Sequence, residues 1–100
     1  MTREILAFER RHLIAIMLFI HDCGGRTTRM ALYRNVANNE FMPSKLEILE
    51  GHDLIIQKEE RVTKAMQIEL TEKGRQVAEK LLEIDRIIGS FNAPTRKGRY

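Results

Sequence analysis

Eight consecutive apolar residues, LIAIMLFI from Leu13 to Ile20, restrict this chain more than any other segment. As a helix such a run has no polar face, and a helix apolar all round has to be covered all round. A strand could carry the same run. The helix-compatible lead-in and the paired glycines Gly24-Gly25 instead predict one long helix over TREILAFERRHLIAIMLFIHDCGG. Thr2 is its expected cap, with Ile5 and Leu6 in the first turn. The run falls far short of the roughly 20 residues that span a bilayer. With Glu4 and Glu9 ahead of it, it does not read as a secretory leader either.

A chain of 100 residues suits one domain, which buries roughly 60–70% of its unfolded surface. Its own core can cover one side of the apolar helix, and the other side calls for a partner. The composition, 43% hydrophobic and 31% charged, is that of a soluble globular protein. Cys23 is the single cysteine, so no intrachain disulfide forms. A reducing compartment, the cytoplasm, is the expectation.

The net charge of +3 invites a nucleic-acid reading, but its distribution matters more than its sum. Residues 1–25 carry three bases and three acids, residues 26–64 seven and six, and residues 65–90 four and five. The excess lies in Arg96, Lys97 and Arg99, within a segment, FNAPTRKGRY, that reads as a flexible basic tail over 91–100. Residues 1–90 form the expected domain, nearly neutral in charge.

Further along, Thr27 or Thr28 can cap a short helix running to about Val36, with Leu32 and Val36 inward at i, i+4. Asn38-Asn39 marks a turn. Pro43 suits a first helical position, Leu46 and Leu49 repeat inward, and Gly51 stops this third helix. Two short runs follow, DLIIQKEE and TKAMQIEL, the second with Met66, Ile68 and Leu70 on one face. No Asn-Gly or Gly-Gly pair fixes a tight turn between them, so the tip KEERVTK is expected to be a longer, mobile loop. Thr71 then caps a last helix ending near Gly89. Gly74 is poor for helix propensity and reads as a close-packing position.

The stretch MPSKLEILEGHDLIIQKEERVTKAMQIELTEKGRQVAEKL resembles the recognition helix, wing and following helix of MarR-like and small archaeal winged-helix regulators. The matching residues are Leu46, Leu49, Glu50, Asp53-Leu54-Ile55, Leu70-Thr71 and Lys73-Gly74, and the likeness covers about residues 11–88. His52-Asp53 departs from the small residue and glycine usual there, which asks Asp53 for a tight or left-handed conformation. The resemblance implies a mainly helical α+β domain: a winged helix-turn-helix with long terminal helices. It also implies binding of duplex DNA, with helix 42–51 in the major groove and wing 57–64 on the backbone.

On that footing Ser44 and Lys45 would meet bases, Arg26, Thr28 and Arg29 phosphates, and Lys58, Arg61 and Lys64 the backbone beside the wing. Glu47 and Glu50 share the helix, and Glu59 and Glu60 the wing tip, where acids repel phosphate. Enzyme chemistry finds no footing. His21, Asp22 and Cys23 are close in sequence but supply too few converging metal ligands, and Cys23 lacks an oxyanion loop. Gly24-Gly25 is not followed by the Lys-Ser/Thr of a phosphate loop. No catalytic residue, metal or cofactor is expected.

In the last helix, Gly74, Val77, Leu81, Ile84 and Ile88 follow the 3–4 spacing of a coiled-coil seam. A single wide stripe packed on the protein's own core would look the same. With the apolar first helix, the supply of apolar surface points to a homodimer, its interface drawn from Leu13, Met17, Ile20, Val77, Leu81, Ile84 and Ile88. The alternatives to a DNA-binding regulator are a protein-interaction module and a sequence-tolerant architectural protein whose tail supplies affinity.

Overall fold

The computed structural model describes residues 3–36 and 41–89. Thr2, the turn at Asn38-Asn39 and the tail 91–100 lie outside the described residues.

The expected single first helix is broken. Glu4–Glu9 form a short 3-10 helix, and the chain turns before α1, Leu13–Asp22. The break falls at His12, whose φ of 72° is left-handed and ends helical propagation. Within α1, Leu13, Ile16, Met17 and Ile20 are fully buried, the i, i+3, i+4, i+7 pattern of one face. Ile14 and Ala15 are exposed. Leu13, Met17 and Ile20, expected at a dimer interface, are buried within one chain, where α1 packs against α4, β3 and β1, defined below. The helix is apolar all round in composition yet two-sided in packing.

Its end is built by the paired glycines. Gly24 takes φ 85°, its amide bonds His21 O at 2.9 Å, and the Gly25 amide bonds Ile20 O at 2.9 Å. This is a Schellman close, which needs a residue tolerant of the left-handed region at the first glycine. Strand β1, Arg26–Thr28, comes next. At three residues, it is too short for its periodicity to be read from sequence. Thr28 then caps α2, Arg29–Asn35, its Oγ1 accepting from the Ala31 amide at 3.1 Å. Leu32 is buried beneath it.

Helix α3, Met42–Gly51, starts with Pro43 in its first turn and buries Met42, Leu46 and Leu49. Gly51 is its last residue, but the stop is made further on. Asp53 holds φ 62°, its amide bonds Glu50 O at 2.9 Å, and the Leu54 amide bonds Leu49 O at 3.0 Å. This second Schellman close uses aspartate, one of the few residues besides glycine that visits this region readily. Strands β2, Ile55–Glu59, and β3, Met66–Leu70, pair antiparallel from Ile55↔Leu70 to Glu59↔Met66. Strand β1 pairs with the other side of β3 through Arg26↔Glu69 and Thr28↔Gln67, giving the sheet order β1-β3-β2.

Helix α4, Glu72–Gly89, opens on one hydroxyl with two roles: Thr71 Oγ1 accepts from the Gly74 amide at 2.8 Å and donates to Asp53 O at 2.6 Å. The end of α3 and the start of α4 are thereby joined. A Cβ on Gly74 would stand 1.9 Å from the Leu54 carbonyl oxygen, so glycine permits this crossing. Leu13, Ile16, Met17, Ile20, Leu32, Met42, Leu46, Leu49, Leu54, Ile55, Ile68 and Ala78 form one core from every α-helix and all but the shortest strand. The chain is a winged helix-turn-helix, mainly helical, with a three-stranded sheet.

Candidate nucleic-acid interface

The hairpin of β2 and β3 ends in a tip over residues 60–65, and the tip is closely tied. The Glu60 amide bonds Ala65 O and the Lys64 amide bonds Glu60 O, both at 2.8 Å. Glu60 Oε1 accepts from the amides of Val62 and Thr63 at 3.1 and 2.7 Å and from Thr63 Oγ1 at 2.9 Å. Those partners, the Thr63 amide foremost, hold the Glu60 carboxyl below the usual carboxylate range. The loose loop expected from the absence of a glycine turn is replaced by a side-chain-stapled turn. Lys64 takes the left-handed residue at φ 64°. Arg61 and Lys64 are exposed to solvent, and Val62 is 84% exposed at the apex.

The expected DNA-facing residues divide into three groups. Arg61 and Lys64 are exposed on the wing, and Ser44 is exposed near the start of α3. Arg26 and Lys58 are exposed but share a carboxylate: Arg26 Nε lies 2.7 Å from one oxygen of Glu69 and Lys58 Nζ 3.5 Å from the other. Thr28, Arg29 and Lys45 serve the protein itself. The Thr28 hydroxyl is spent on its cap. Arg29 Nη2 donates to Gln57 Oε1 at 2.7 Å, and Gln57 Nε2 donates to Glu50 Oε1 at 3.0 Å, linking α2, the wing and α3. Arg29 Nε is buried without a hydrogen-bond partner.

Lys45 stands apart from the other expected contacts. It is only 6% exposed, and its ammonium lies 3.1 Å from His12 Nδ1. It sits one residue before Leu46 on the face that packs inward, where an amphipathic stem can be covered and its head reach a polar partner. The imidazole is kept below its ordinary pKa by burial first, then by Lys45 and Arg11, and the ammonium, which has only donors, points a hydrogen bond at Nδ1. With Lys45 turned in, the exposed side chains α3 presents from Ser44 onward include Glu47 and Glu50 and no base. Sequence reasoning missed the structural use of Glu60 and Gln57. A Thr three residues after Glu60 is the one local hint of its staple.

A second surface lies between the 3-10 helix and α4. Glu4, Ile5, Phe8, Leu49, Val77, Leu81 and Ile84 are among the walls of an apolar groove of about 510 Å³ there. Val77 and Leu81 are half-buried against the chain's own core. Past them α4 projects: Ile87 and Ile88 are 72% and 68% exposed, and Ile84, Ile5 and Leu6 are also exposed. The seam read along α4 therefore splits, its first half packing at home and its second half lying open. His21 and Cys23 meet in an open polar cleft of about 800 Å³ that Arg26, Glu69 and Arg75 also line. Among the described residues, no group of three or more His, Cys, Asp or Glu could hold a metal ion, and no helix is long and apolar enough to cross a membrane.

No protein-family model matches the chain, and no curated protein matches it. Among solved structures it is similar to the organohalide-sensing transcriptional regulator RdhR in its ligand-free form, with a TM-score of 0.65 and 23% identity over 84% of this chain. It is also similar to reduced AbfR bound to DNA, with a TM-score of 0.60 and 20% identity over 80% of this chain. The chain spans 54% and 61% of the lengths of those two proteins. At this identity the likeness is one of fold.

Proposed function

We propose that this protein binds duplex DNA as a homodimeric winged-helix transcriptional regulator, with α3 entering the major groove and the wing lying on the backbone. The observation that carries the reading is the stapled wing, which holds the exposed cations Arg61 and Lys64 on one hairpin with Lys58. Cations fixed in place beside a groove-sized helix are what phosphate contacts require. The likeness in fold to a protein solved on DNA adds support.

The homodimer rests on the open end of α4. Ile84 and Ile88, with Ile5 across the groove and Leu6 beside it in sequence, are large apolar side chains exposed in one chain. Covering the apolar area they still expose contributes about 25 cal/mol per Å². A two-fold pairing there would hold two α3 helices at a fixed spacing for a pseudo-palindromic site. The finer points, sequence selectivity and a cytoplasmic location, belong to the same proposal.

Selection of bound duplexes from a random pool, with sedimentation of the protein alone, tests it. An enriched palindromic motif and a dimer are expected. Binding that ignores sequence and falls steeply with salt would mark an architectural protein instead. One observation favours a second reading, a protein-interaction module: α3 turns Glu47 outward and Lys45 inward. Absence of DNA binding at low salt selects that reading.

A further inference from the structure

Glu60 is an acid at the place where a DNA-binding wing would meet phosphate, and by charge alone it should weaken binding. Its geometry says otherwise. One oxygen, Oε1, accepts from two backbone amides and a hydroxyl within the same turn. The Thr63 hydroxyl that donates to it also accepts from the Ala65 amide at 3.3 Å. The carboxylate thus stands in for the glycine turn that the hairpin lacks, satisfying amides that would otherwise be open to water. Between its two ends the turn throws Arg61 and Val62 outward.

We propose that Glu60 is a positioning residue for DNA binding: its hydrogen bonds fix the wing tip so that Arg61 and Lys64 are presented together. This rests on the DNA-binding reading and goes beyond it, because it reverses the sign expected of an acid at that position. The physical reason is entropic. An unstapled tip must be ordered when it meets the duplex, and fixing its backbone opposes binding. A stapled tip has met that cost in folding, and the mutual repulsion of one partly screened carboxylate with phosphate is smaller.

Charge and hydrogen bonding are separable here. Glu60→Gln keeps an oxygen that can accept all three bonds and removes the charge. Glu60→Ala removes both. The full chain and a fluorescent random-sequence duplex, titrated over a range of salt, give affinity and salt slope. Amide hydrogen exchange at Val62 and Thr63 reports the tip itself.

Glu60→Gln is expected to bind as tightly as wild type or tighter, with both amides still protected. Glu60→Ala is expected to bind roughly three- to tenfold more weakly than Glu60→Gln, with fast exchange at both amides and a salt slope flatter by about 0.9 for each phosphate the loosened tip fails to neutralise. If both variants tighten binding alike, Glu60 is only a repelling charge and the assignment is overturned. Unaltered exchange in Glu60→Ala overturns it as well. Wild-type protein that ignores the duplex at low salt overturns the DNA reading, and the assignment with it. Intact wild-type binding with indifferent variants overturns the assignment alone.

Discussion

Gly74 is held by the tightest constraint among the glycines described, because its missing side chain is where the Leu54 carbonyl oxygen lies, 1.9 Å from any Cβ. The obstacle is backbone, which a rotamer change cannot move. Gly74→Ala gains helix propensity and still destabilises by about 3 kcal/mol or more through forced displacement of the α3–β2 connection. Urea unfolding measures it, and a variant as stable as wild type would disprove the crossing. His12 offers a test in pH. Burial, then Lys45 and Arg11, hold its imidazole below the ordinary 6.5. As pH falls, the unfolded chain binds this proton before the folded chain does. Stability therefore declines below about pH 6.5 and levels off once pH is under the folded value. His12→Asn tolerates the left-handed backbone and keeps an acceptor for Lys45. The difference in urea midpoint between it and wild type is expected to shrink from neutral pH to about pH 5.5, isolating His12 from the other histidines. Both residues were visible in the sequence to different degrees: Gly74 stood out as a glycine inside a strong helix, whereas nothing around His12 announced that Lys45 would reach it from 33 positions away.

Among the elements, the wing departs most from what its sequence suggests and carries most of the functional proposal. The strands were legible because Met66, Ile68 and Leu70 alternate, and the cap of α4 because Thr71 precedes a helical pattern. The tip was not, because its closure depends on a carboxylate bonding the backbone two and three residues on, a choice that competes with solvent and leaves no periodic trace. Lys58→Ala, Arg61→Ala and Lys64→Ala combined are expected to leave the melting curve nearly unchanged. DNA affinity falls and the salt slope flattens by about 2.7 per protomer if all three meet phosphate. A slope equal to wild type in a gel-shift series would place the DNA on another face. Lys45→Ala belongs to a different class: its ammonium is turned into the fold, so it lowers stability first.

For the whole molecule, two surfaces among the described residues carry the proposal: the cationic wing and the isoleucine end of α4. Ile84→Asp with Ile88→Asp is expected to give a monomer that retains its helical circular dichroism, since neither side chain belongs to the core cluster. Sedimentation checks it, and an unaltered dimer would put the interface elsewhere. Leu81→Asp is the poorer probe, because Leu81 packs against the core and its loss confuses unfolding with dissociation.

The succession of α2, α3, the hairpin and α4, the cap at Thr71 and the stop near Gly51 follow from local chemistry, and the sequence alone carried them. What covers the apolar run of α1 was decided only in three dimensions. Burial is a property of neighbours, and Leu13, Met17 and Ile20 look the same in sequence whether a second chain or their own sheet lies over them. The inward turn of Lys45 has the same origin: a long flexible side chain takes its direction from a partner that tertiary folding brings near.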